Sequence, residues 1–225
     1  MCNPCLGHLC YLCLGTEHIA RPSAHSPSRP TPSHFSPSGF RLPIARVRMH
    51  ALMRAALLLA FLALSFLKAS AVDLTSLSID QLKNGIENQH PSAFYILALK
   101  LFTAGQKDDA VFWFYAGQLR YRVYLLVNKD KLDPSGDPAL FASLSEEVGR
   151  PINEYAFGDI PQLSKTIDAV ITWDQSHANA LTPRDKYKSQ YDQIAAGLTQ
   201  MRDQVLKQAD SIRKTRSANG LQNRN

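Results

Sequence analysis

AVFWFYAGQLRYRVYLL, residues Ala110–Leu126, carries six aromatic rings and two arginines in seventeen positions. Stepped at about 100° per residue on a helical wheel, Ala110, Phe114, Tyr121 and Leu125 fall together. Trp113, Gly117 and Tyr124 flank them, and Val111, Tyr115 and Leu126 lie about a third of the way round. Phe112, Ala116, Leu119 and Val123 cover most of the remainder, and only Gln118, Arg120 and Arg122 are polar. A helix that is apolar nearly all round is enclosed by other elements. The stretch therefore predicts the central helix of an all-α domain. Arg120 and Arg122 stand about 160° apart on the wheel, so they cannot serve one ligand from one face. One of them is expected to pair with a core carboxylate or to stack on a ring, with Glu147, Glu154 and Asp168 as candidate partners.

Working outward, nearly every segment after residue 72 reads as helix. Ser78 and Gln81 form a capping box for a short helix to about Glu87. Pro91 suits the first turn of the next helix, which runs to about Thr103, and the chain turns at Gly105 into the aromatic helix, Lys107–Asn128. Asn128–Pro138 is a loop whose acids, Asp130, Asp133 and Asp137, lack the EF-hand spacing. Asp137 and Pro138 are expected to cap a helix that breaks near Val148, before Gly149-Arg150-Pro151. A short piece, Ile152–Phe157, follows. Asp159 with Gln162 opens a helix to about Ser176. Thr182 as N-cap, Pro183 at N1 and Asp185 at N3 are expected to start the last helix. Running to about Arg216, it would be about 50 Å long. Its apolar positions, Tyr187, Tyr191, Ile194, Leu198, Met201 and Val205, step by 4, 3, 4, 3 and 4 residues, with Ile212 beyond. That seam packs lengthwise against other helices. Ser217–Asn225 is polar and is expected to fray. No segment alternates with period two, so the fold class is all-α: a compact bundle or short solenoid of antiparallel helical hairpins with a long C-terminal helix.

SAFYILALKLFTAGQKDDAVFWFYAG, Ser92–Gly117, resembles one tetratricopeptide repeat, or its Sel1-like relative. The matching positions are Phe94, Leu97, Ala98, Leu101, Gly105, Ala110, Phe114 and Gly117; the repeat's closing proline would fall at Arg122. The resemblance covers about 30 residues and occurs once, where arrays need at least three repeats. It implies a helical hairpin that presents a groove to peptides or proteins. The chain from Val72 onward is also similar to a group of uncharacterised exported bacterial proteins that share VFWFYAGQLR, Val111–Arg120. Some of these carry a ubiquitin carboxyl-terminal hydrolase label. That family acts through a Cys nucleophile beside a His, and Val72–Asn225 contains no Cys.

The 225-residue chain has a net charge of +6 and a pI near 9.2, which taken whole would suggest an acidic partner. The charge is uneven. Residues 1–71 hold seven Lys/Arg and one acid, Glu17, while the remainder holds 18 of each sign. No overall basic field therefore draws Val72–Asn225 to a polyanion. All four cysteines, Cys2, Cys5, Cys10 and Cys13, lie in the first thirteen residues with His8 between them. Only four residues separate the two C-x-x-C pairs, where a zinc ribbon has about 15–20. Residues 21–43 are rich in Pro, Ser and His, and residues 1–48 read as a disordered leader. From Met49 the chain has a basic start ending at Arg54, a thirteen-residue apolar run from Ala55 to Leu67, and Ala69-Ser70-Ala71. This is the layout of a secretory signal peptide, too short for the roughly 20 residues of a membrane span. The expectation is export to the periplasm or beyond after cleavage behind Ala71. Translation is expected to start at Met49 or Met53, which makes the upstream part a gene-model extension. Val72–Asn225 would then form a single domain.

No catalytic group stands out. Asp174-x-x-His177 could place two metal ligands on one helix face, but no third or fourth ligand is evident. His90, beside Pro91, suits a helix cap. Asp108-Asp109 and Glu146-Glu147 read as solvated faces, and neither a G-x-S-x-G elbow nor a P-loop occurs. The leading expectation is an exported protein–protein interaction module without cofactor or metal. It would bind a protein or peptide, not nucleic acid, and keep no membrane span after cleavage. Candidate binding residues are Tyr95 and Lys100 on the first helix of the hairpin and Gln118, Arg120 and Arg122 on the second. Two rivals remain open. One is a hydrolase with a hidden site, which requires His90 or His177 in a cleft with a carboxylate. The other is an inhibitor or immunity-type partner of a secreted toxin.

Overall fold

The structure is a computed structural model that describes residues 73–225. The cysteine pairs, the leader and the signal-peptide segment lie outside the described residues, which contain no strand and eight α-helices. A 3₁₀ turn, Leu74–Ser76, precedes α1 (Ile79–Lys83), and a second, Ile86–Asn88, follows it. Then come α2 (Ser92–Thr103), α3 (Lys107–Asn128), α4 (Asp137–Glu147), α5 (Gly149–Ala156), α6 (Ile160–Ser176), α7 (Lys188–Lys207) and α8 (Ala209–Ala218). Helix α3 packs against α2, α4, α5, α6 and α7, so the aromatic helix is the one the others enclose. No described helix is long and apolar enough to cross a membrane.

Several local signals act as read. The Ser78 side chain accepts from Gln81 N, and the Gln81 side chain accepts from Ser78 N. Asp159 accepts from Gln162 N and opens α6. The seam on α7 is buried at Tyr191, Ile194, Leu198, Met201 and Val205.

Other expectations are corrected. Helix α1 stops at Lys83, short of Glu87, because Asn84 is extended and Gly85 takes the left-handed φ of 75°. Asp137 does not cap α4. Its carboxylate accepts from the Tyr121 and Tyr124 hydroxyls instead. Thr182 is not an N-cap either. It is fully buried against the Tyr191 hydroxyl, Pro183–Tyr187 forms a turn, and α7 begins at Lys188. The last helix is interrupted at Gln208, although Lys207-Gln208-Ala209 contains neither Gly nor Pro. The segment after α8 does not fray. Arg216 donates to Gln222 O and Asn223 Oδ1, and Arg224 N donates to Gly158 O.

The α2–α3 hairpin is closed by small residues. Ala98 and Ala110 are fully buried, and Phe94, Leu97, Leu101 and Phe114 fill the space around them. At Gly117 the two helices meet so closely that a Cβ would lie 2.8 Å from the Phe94 Cβ and 3.2 Å from the Tyr95 ring. Tyr95 then meets Phe114, Tyr121 and Phe141 edge to face, with centroids 5.6, 6.0 and 6.4 Å away. Such pairs add about 0.5–1.5 kcal/mol beyond the area they bury.

Replacing Gly117 with Ala raises helix propensity by about 1 kcal/mol, but it overpacks this contact at a cost of about 1–3 kcal/mol. Urea unfolding of Gly117→Ala is expected to show a net loss of stability.

Candidate functional site

Arg120 is buried with all of its nitrogens engaged. Nε donates to Asp174 Oδ1 at 3.0 Å, Nη1 to Ala178 O at 2.7 Å and Nη2 to His177 O at 2.9 Å. Its guanidinium lies 4.6 Å from the Trp173 ring centroid. The side chain thus holds the first two carbonyls beyond the end of α6, where a cation suits the helix dipole. The other Asp174 oxygen accepts from Arg184, which lies over Tyr191 at 4.0 Å. Burial pushes the Asp174 carboxyl up, against the opposing pull of both arginines. The partner of Arg120 is therefore Asp174, not Glu147, Glu154 or Asp168. Asp168 instead pairs with Arg202 at the surface. The two residues of the Asp174-x-x-His177 spacing are engaged elsewhere: Asp174 is held by two guanidiniums, and His177 Nδ1 donates to Trp173 O at 2.7 Å with its ring stacked on Trp173.

A second polar cluster joins α2 to α4. His90 Nδ1 lies 2.9 Å from Ser92 Oγ and accepts from Ser92 N at 3.3 Å. On the other side of the ring, Nε2 lies 3.1 Å from Asp137 Oδ1. Tyr121 OH donates to that same oxygen at 2.9 Å, and Tyr124 OH donates to Oδ2 at 3.3 Å. Burial and the Asp137 charge push both tyrosines up, so they stay protonated donors. His90 also meets both tyrosine rings edge to face. The N-cap position of α2 is Pro91, which has no side-chain cap, and His90 Nδ1 meets the Ser92 N–H just beyond it.

A groove of about 310 Å³ is lined by Asp108, Asp109 and Phe112 of α3 and by Gln162, Lys165, Thr166 and Ala169 of α6. Positions 162, 166, 169 and 173 share one stripe of α6. Ala169 is exposed, while Phe112, Trp113 and Trp173 are half-buried. These three rings touch one another, with centroids 5.3 Å apart for Phe112–Trp113, 6.0 Å for Phe112–Trp173 and 5.5 Å for Trp113–Trp173. The groove thus has Asp108 and Asp109 at the start of α3 and one ring, Phe112, in its wall, and Phe112 in turn touches Trp113 and Trp173 outside the lining.

The candidate binding residues separate by depth. Tyr95 is in the core, and Arg120 is in the ion pair just described. Gln118 is buried, donating to Ser145 Oγ and accepting from Arg122 Nε. These three are removed from any surface. Lys100 and Arg122 are partly exposed, and Arg122 lies over Phe141 at 5.0 Å. None of the five lines the groove.

No family model matches the chain, and no solved structure matches it. An uncharacterised protein of Haemophilus influenzae is 32% identical over 88 residues, which are 39% of this chain and 33% of that protein. The match spans about a third of that relative's length.

Asp174→Ala leaves a buried guanidinium without its carboxylate and is expected to cost about 3–5 kcal/mol. Lys100→Ala is expected to stay within about 0.5 kcal/mol. Paired urea unfolding curves check both.

Proposed function

We propose that the protein is an exported helical docking module whose α3–α6 groove receives a segment of a protein partner. The supporting observation is the groove itself: its size is at the lower end of the range of binding clefts, and the half-buried Phe112, a residue type enriched at interfaces, lines it. The near-neutral charge of Val72–Asn225 agrees with a protein partner rather than a polyanion. Ala169→Arg places a long charged side chain on the groove wall without touching the core. With envelope extract passed over the immobilised chain, a partner held by the unaltered protein is expected to be lost from Ala169→Arg and retained by Lys207→Ala. Retention by Ala169→Arg would overturn the groove.

A second reading, a hydrolase, is favoured by the alignment of Ser92 Oγ, His90 and Asp137. In such a set the serine attacks, the imidazole takes its proton and the carboxylate orients the ring. Two features set it behind. The Ser92 N–H is also directed at His90 Nδ1, and the Ala93 and Phe94 N–H groups donate to His90 O and Pro91 O. The N–H groups beside the hydroxyl are thus engaged, where an oxyanion would need free donors. Ser92→Ala and His90→Ala are expected to leave p-nitrophenyl acetate turnover at the unaltered rate. A tenfold fall in both would replace docking with catalysis.

A further inference from the structure

The segment after α8 is polar, yet it is held at several points. Leu221 N donates to Arg216 O, and Asn223 Nδ2 donates to Arg213 O and to Ser217 Oγ. The side chain of Arg216, itself 3% exposed, grips Gln222 O at 2.8 Å and Asn223 Oδ1 at 3.2 Å. Gly158 admits the chain: a Cβ there would lie 3.1 Å from Arg216 Nη2 and 3.2 Å from Gln222 O. Arg224 N donates to Gly158 O at 2.7 Å, and its guanidinium lies 3.4 Å from the centroid of Tyr155.

Arg224, itself exposed, lines a small cavity together with Asp108, Tyr155 and Asp159, and Tyr155 OH donates to Asp108 Oδ1 at 3.0 Å. An aromatic face for the guanidinium plane and a carbonyl for the backbone N–H are parts of an arginine cradle, and Asp108 and Asp159 line the same cavity. The cradle is continuous with the groove, because Asp108, Gln162 and Thr166 line both. Asp109 extends the same acidic end.

We propose that Arg224 fills in cis an arginine cradle at the acidic end of the groove, and that the partner segment bears an arginine that displaces it. This rests on the groove being the docking site. The occupant follows from the cradle's chemistry and from the chain's own arginine seated in it. The segment beyond α8 contributes no residue to the hydrophobic core, and displacing the Arg224 side chain alone leaves Gln222 and Asn223 on the buried Arg216.

The test uses the full chain with Arg224→Ala and fluorescent, end-blocked peptides. One is Leu-Gln-Asn-Arg-Asn, the sequence of residues 221–225. A second carries citrulline in place of arginine, with the same shape and no charge. A third, Ser-Gly-Arg-Gly-Ser, shares only the arginine. Arg224→Ala is expected to bind both arginine peptides at least tenfold tighter than the unaltered chain, to bind the citrulline peptide at least tenfold less tightly, and to lose binding when Tyr155→Leu is added. Equal binding by the unaltered and Arg224→Ala chains overturns the proposal, as does equal binding of the citrulline peptide. Binding of the first peptide but not the third confines the cradle to the chain's own tail and overturns the partner assignment. Ala169→Arg reports on the groove separately: partner loss there with no arginine binding here keeps the groove and removes the arginine.

Discussion

A guanidinium in the middle of a helical core is the constraint around which the rest is arranged. Arg120 and Asp174 have side chains only 2% exposed, and a charge at that depth is tolerated only when paired and fully hydrogen-bonded. Meeting that condition fixes three things together. It sets how α6 lies on α3, where α6 ends, and the path of the loop that leaves it, since His177 O and Ala178 O are both accepted partners. Tyr191 extends the control to α7, where its hydroxyl joins Asn179 and Thr182. The orientation of Trp173 follows from the guanidinium lying across its ring.

The ring density of α3 divides along the same line. Phe114 and Tyr121 point into the hairpin and stack edge to face with Tyr95, while Phe112 and Trp113 lie on the flank that α6 only partly covers. Arg120 and Arg122, on opposite sides of the wheel, accordingly have different fates: one is an internal ion, the other an amphipathic cover for Phe141.

What could be read from the sequence was what local chemistry determines. The bounds of α2 and α3, the Ser78 box, the Asp159 cap and the α7 seam depend on neighbours within a turn or two. The losses are contacts across the chain. Asp174 lies 54 residues from Arg120, and spacing alone did not favour it over Asp168 on the same helix. Thr182 carries the side chain of an N-cap, but burial against Tyr191 claims its hydroxyl. The interruption at Gln208 has no breaker residue to announce it. The tail looks solvated because its partners are backbone carbonyls and one buried arginine. As for the site, the stripe Gln162–Thr166–Ala169–Trp173 is visible on a wheel, but whether another helix covers it is not.

The two half-buried indoles are the only tryptophans in the chain, and they touch. Their transitions must therefore couple, adding an excitonic couplet to the far-ultraviolet circular dichroism that would distort any helix content read from it. All of the chain's indole emission likewise arises from this one pair, which touches the groove-lining Phe112. The protein thus carries a built-in optical reporter for whatever reaches that surface.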